Sequence, residues 1–117
     1  MDFAELDAHL QSLTAHQLKI VQTVYNAGGS WLTRSKVAKA LGKRRLTPYD
    51  IDCLKKLTDI DLIETSTQPT TAPGSEFAYI YHMCDDVAVL LQEWSERREQ
   101  ETQDQSRKPI NLVDDNT

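Results

Sequence analysis

At 117 residues, with 39% hydrophobic and 26% charged side chains, the chain suits one soluble globular domain around a single core. No apolar run approaches the roughly 20 residues that cross a bilayer, and the residues after Met1 lack a basic-then-apolar leader. A cytoplasmic protein without membrane contact is expected, its two cysteines, Cys53 and Cys84, free thiols and its formal net charge −5.

Phe3, Leu6, Leu10 and Leu13 recur at helical spacing and predict a short N-terminal amphipathic helix, an extension over residues 1–13. A second helix starts after Thr14, which caps it. Gln17 completes a capping box, and Leu13 with Leu18 occupies staple positions. Leu18, Val21, Val24 and Tyr25 form its apolar face, and Gly28-Gly29 ends it. Ser30-Trp31-Leu32 has room only for a bridging strand or turn. Thr33 then caps a short helix whose apolar side is Val37, Ala38 and Leu41, with Gly42 as its stop.

The next helix carries the strongest start signal. Leu46-Thr47-Pro48-Tyr49-Asp50-Ile51 combines a staple, a threonine cap, proline at the first position and an acid at the third. Ile51, Leu54, Leu57 and Thr58 face one way, leaving Tyr49, Asp52, Cys53 and Lys56 for solvent or a partner. From Arg34 to Lys56 eight basic residues meet only Asp50 and Asp52, a net +6. The other 94 residues hold five basic and sixteen acidic side chains, a net −11. An acidic chain thus contains one strongly basic block.

Beyond Asp61 the period changes. Leu62–Ser66 and Phe77–His82 read as antiparallel strands, and Thr67–Glu76, with Pro69, Pro73 and Gly74, as the loop between them. Asp85-Asp86 opens a last helix with Val87, Leu90, Leu91 and Trp94 as its stripe. Residues 99–117 are polar and aperiodic and are expected to lack regular structure, with Ile110, Leu112 and Val113 as a small docking segment.

Helix, minimal strand, helix, helix, strand, wing loop, strand, helix is an order that resembles the winged helix-turn-helix transcriptional regulators, MarR-like and PadR-like types especially. The resemblance covers residues 14–98 and is most family-like at Trp31–Gly42, Leu54-Lys55-Lys56-Leu57 and Leu62-Ile63-Glu64. It implies a mainly α fold with a small β-hairpin, extended by N- and C-terminal helices. It also implies that Thr33–Leu41 packs across a DNA backbone, that Pro48–Thr58 is the recognition helix and that Leu62–His82 is the wing. Where regulators of this type often have glycine before the wing, this chain has Asp61.

The basic residues Arg34, Lys36, Lys39, Lys43, Arg44, Arg45 and Lys55 are the candidates for phosphate contact. Tyr49, Asp52, Cys53 and Lys56 are the candidates for reading the groove, since an aspartate accepts from a cytosine amino group. Against that, this helix face has no arginine, glutamine or asparagine. The wing has no lysine or arginine between Leu62 and His82, but has Glu64 and Glu76. A winged-helix module that docks another protein through its acidic wing or tail, without reading DNA, is the alternative. Phe3, Leu6, Leu10, Leu90, Leu91 and Trp94 exceed what a minimal winged core needs. They are candidates for a homodimer interface, with packing inside the monomer as the competing use. His82-x-Cys84 lacks a second close pair of ligands, and no nucleophile–base set accompanies the paired aspartates. No metal, cofactor or enzymatic activity is therefore expected.

Overall fold

The computed structural model describes residues 1–71, 73–74 and 76–115, with side chains described to residue 100 apart from the two omitted positions. Eight elements follow one another: α1 (Phe3–Ser12), α2 (Ala15–Asn26), β1 (Leu32–Thr33), α3 (Arg34–Ala40), α4 (Pro48–Asp59), β2 (Glu64–Pro69), β3 (Phe77–His82) and α5 (Asp85–Asp115). The strands form one antiparallel sheet in the order β1-β3-β2, with Leu32 opposite Tyr81 and Thr65 opposite Tyr81 on the other side. This is a winged helix-turn-helix: α3 and α4 form the helical pair, and the β2–β3 hairpin is the wing.

Local chemistry sets each boundary. Asp2, Thr14, Thr33 and Thr47 each accept a backbone N–H from the third residue of the helix they open. At Thr14 and Thr47 the box is complete, with Gln17 and Asp50 returning a bond to the cap's own N–H. Two helices end in the same way. After α3, Lys43 N–H donates to Ala38 O and Gly42 N–H to Lys39 O, around Gly42 at φ 77°. After α4, Leu62 N–H donates to Leu57 O and Asp61 N–H to Thr58 O, around Asp61 at φ 64°. Both are six-to-one, five-to-two closures of a helix terminus, which require a left-handed residue after the cap.

The second closure explains why β2 begins at Glu64 rather than at Leu62. Leu62 and Ile63 are consumed by the turn and buried in the core beside Leu57. That core is continuous from α1 to α5, through Leu6, Leu10, Ile20, Val24, Val37, Leu54, Leu57, Tyr81, Met83, Val87 and Leu91. The terminal helices therefore belong to the domain's own interior. Trp94 Nε1 of α5 donates to Asp7 Oδ1 of α1 at 2.9 Å, and the Arg97 guanidinium lies 4.1 Å from the Phe3 ring centroid. Hydrogen bonds from Trp94 and Gln11 hold the Asp7 carboxyl below the usual range.

α5 runs on past Arg98 to Asp115. Its polar part is rich in Glu, Gln, Arg and Lys, which lose little freedom in a helix. Pairs one turn apart, such as Arg97 and Glu93 at 2.7 Å, add support. The side chains of the expected docking segment, Ile110, Leu112 and Val113, lie outside the described residues.

A left-handed aspartate is a testable point of strain. Asp61→Gly, which adopts φ 64° freely, is expected to leave stability unchanged or slightly raised. Asp61→Val is expected to cost about 1–2 kcal/mol. Urea unfolding of the two variants beside the parent distinguishes these outcomes.

Candidate nucleic-acid interface

The start of α4 is built around one buried carboxylate. Asp50 is 0% exposed. Its Oδ2 accepts from Thr47 N–H at 2.8 Å, and Lys43 Nζ lies 2.8 Å from Oδ2 and 3.0 Å from Oδ1. His16 Nε2, from α2, lies 2.6 Å from Oδ1. With Asp50 ionised, that ring nitrogen is the donor. Burial alone would push the Asp50 carboxyl up. The Lys43 ammonium, the Thr47 N–H and the His16 ring outweigh it and hold the group far below the usual carboxylate range. The sequence shows the Thr47–Asp50 box but not its other partners. His16 lies 34 positions away in the chain, and no local pattern links it to Asp50.

Lys43, expected as a phosphate contact, has its ammonium within reach of both Asp50 oxygens. Lys36, Lys39, Arg44, Arg45, Lys55 and Lys56 are all exposed. They remain as the cationic surface of α3, the following turn and α4. Arg34 is half-buried and bridges α3 to the wing. Its Nε donates to the Tyr81 hydroxyl at 2.9 Å, and its guanidinium sits 4.4 Å from the Tyr79 ring centroid.

Along α4, the outward positions are Tyr49, at 53% exposure, then Asp52, Lys55 and Lys56. Cys53 is 2% exposed and faces the core, so it is unavailable to a groove. The expectation that placed it outside is wrong for a specific reason. The buried stripe of α4 is Asp50, Cys53, Leu54 and Leu57, at i, i+3, i+4 and i+7. Its first member is an acid, so a count of apolar residues alone sets the phase on Ile51 instead. Tyr49 stacks on His16 with ring centroids 5.4 Å apart, so the same histidine steadies the outermost aromatic and the innermost acid of the helix.

The residues considered for a dimer interface divide. Leu6, Leu10 and Leu91 are buried in the subunit's own core, where α1 packs on α5, and offer no surface to a second copy. Phe3, Leu90 and Trp94 are half-buried, and Val89, next to Leu90 on α5, is 66% exposed. Both cysteines are free. Among the described residues no group of three or more His, Cys, Asp or Glu is placed to hold a metal ion, and no helix is long and apolar enough to cross a membrane.

Comparison with family models and with curated proteins finds no match. Solved structures do match. A possible transcriptional regulator from Methanosarcina mazei Go1 superposes with a TM-score of 0.53 at 20% identity, over 86% of this chain and 82% of that one. A mutant of ZitR from Lactococcus lactis gives 0.54 at 20% identity, over 81% of this chain and 59% of that one. A mutant of MepR from a multidrug-resistant S. aureus clinical isolate gives 0.58 at 18% identity, over 92% of this chain and 81% of that one. At these identities the likeness is one of fold.

The Asp50 cluster makes two predictions about stability. Asp50→Asn leaves Lys43 and His16 facing a neutral group, and is expected to cost about 3 kcal/mol. This is the lower end for a broken buried pair, because both partners keep some access to water. A carboxyl depressed by folding stabilises above its unfolded pKa, about 3.9, and loses that contribution as pH falls further. Denaturation midpoints followed from neutral pH to below about pH 4 should therefore fall less steeply for Asp50→Asn than for the parent. Equal slopes would mean that the cluster contributes nothing to acid stability.

Proposed function

We propose that the protein binds double-stranded DNA sequence-specifically, as a small homodimeric transcriptional regulator in the cytoplasm. One observation carries this reading. In a chain of net charge −5, the exposed cations of α3, its turn and α4 lie on the pair of helices that a winged helix-turn-helix presents to a duplex. Lys36, Lys39, Arg44 and Arg45 would hold phosphates, which position the domain without reading sequence. Tyr49, Asp52 and Lys56 would face base edges, with Lys55 at the margin. Asp50 would act beneath them as a positioning residue, fixing where α4 leaves the turn.

For the dimer, the free surface is the outer side of α5, where exposed Val89 adjoins half-buried Leu90, together with Phe3 and Trp94. A 31-residue helix spans about 46 Å and gives a two-fold partner a long edge to pack along. Such a dimer would present two α4 helices to successive major grooves and favour a palindromic site.

Selection from random duplexes by the purified protein, with its mass measured by light scattering, tests both parts. Salt-sensitive enrichment of a two-fold site by a particle of twice the chain mass is expected. No salt-sensitive binding to any duplex overturns the reading and leaves the module that docks a protein. Arg44→Ala combined with Arg45→Ala should weaken selected and unrelated duplexes by a similar factor. It should also reduce the slope of log affinity against log salt by about 2.

A further inference from the structure

We propose that the outer half of the wing is a stacking platform for unpaired bases, so that the preferred ligand is duplex DNA with a short single-stranded stretch beside the bound site. The proposal rests on the duplex-binding reading above and adds the feature of the substrate that the wing recognises.

The β2–β3 register decides which side chains share a face. Thr65, Thr67 and Pro69 lie opposite Tyr81, Tyr79 and Phe77, so one face of the wing is threonine, proline and aromatic rings. The acid of β2 is on the reverse face, where Glu64 lies opposite His82 and 3.4 Å from its Nε2. The inner end of the aromatic face is anchored to the domain. Tyr81 is buried and bonded to Arg34, and the Thr65 hydroxyl lies 2.7 Å from that of Thr58 on α4. The outer end is partly open to solvent. Phe77 is 49% exposed and Tyr79 38%, and their rings meet edge to face with centroids 5.4 Å apart. An open cleft of about 490 Å³ is lined by these rings together with Thr33, Arg34 and Ser35 at the start of α3.

Arg34 makes this face continuous with the basic surface. Its guanidinium covers the Tyr79 ring from the α3 side, so a cation and two aromatic rings follow one another outward from the helices. Proteins that hold single strands combine these two parts, a cationic track and rings on which bases stack regardless of sequence. A wing that grips phosphates would carry lysine or arginine. Here none lies between Leu62 and His82, and ring surface takes that position. Stacked duplex offers only base edges to such rings, whereas an unpaired base offers its face. A polyanion is favoured over an apolar peptide because the cleft is lined by Arg34, on the helix that also carries exposed Lys36 and Lys39, with Glu76 the one acid among the side chains lining it.

The test uses the full chain and three fluorescent probes: the selected duplex, the same duplex with a short thymidine overhang on the wing side, and the overhang strand alone. The overhang is expected to raise affinity about tenfold. That gain should vanish in Phe77→Ala/Tyr79→Ala, while affinity for the plain duplex stays unchanged. Both rings are exposed, and circular dichroism confirms that the variant folds. A 2-aminopurine in the overhang should change its emission on binding the parent but not the variant. An overhang that adds nothing, or a gain that survives the double substitution, overturns the platform while leaving duplex binding intact. Failure to bind plain duplex, with ring-dependent binding of the single strand, overturns the duplex reading and supports the platform.

Discussion

A carboxylate without access to water has to be surrounded by donors, and Asp50 recruits them from three parts of the chain at once. Thr47 supplies the N–H of the helix cap, Lys43 the ammonium from the turn after α3, and His16 a ring nitrogen from α2. None of these elements can shift far without leaving the charge unmatched, which costs more than the pair contributes when formed. Lys43 thereby ties the turn after α3 to the start of α4, and His16 ties α4 to α2. Apolar packing of Leu54 and Leu57 supplies the bulk of the burial, but such packing tolerates sliding more readily than a three-donor site does.

The same cluster changes how the basic block is counted. By sequence the block holds eight cations, yet Lys43 is committed to Asp50 and Arg34 is engaged by Tyr79 and Tyr81. The remaining six are exposed and distributed over α3, the turn and α4. Asp50 therefore neutralises one cation of the block, while the tyrosines fix the position of another without removing its charge. A lysine that holds the turn in place and an arginine that holds the wing in place serve the surface by orienting the cations beside them.

How much of this was legible in the sequence depended on the range of the interaction. Caps, stops and stripes are local, so Thr14 with Gln17, Thr47 with Asp50, Gly42 and the strand Phe77–His82 could all be read directly. Asp61 stands where regulators of the resembled type often have glycine, and it adopts the left-handed backbone that glycine would. Failures came where tertiary contact overrides a local rule. An acid in a buried stripe hid the phase of α4 and put Cys53 on the wrong side. Leu6, Leu10 and Leu91 looked surplus until α1 was seen to pack on α5. The contact of Arg34 with the wing is likewise invisible locally, because Tyr81 lies 47 residues away.

Charge of opposite sign elsewhere on the protein does not cancel the basic face, and the reason is distance. Screening at physiological salt reduces interactions beyond about 8 Å, whereas even the shortest dimension of the molecule is 22 Å. Acids behind the domain thus act weakly on a polyanion touching α3 and α4. They repel one that approaches from any other side, which favours a single docking orientation. The acids that matter locally are those within the interface itself, and the fold treats them individually. Asp50 is buried and matched, Glu64 is turned to the reverse face of the wing beside His82, and Asp52 is left exposed on the helix face that would select between bases. On the proposed reading of α4, an exposed carboxylate at this position would trade affinity for discrimination, since only a donor such as a cytosine amino group would offset its repulsion of phosphates.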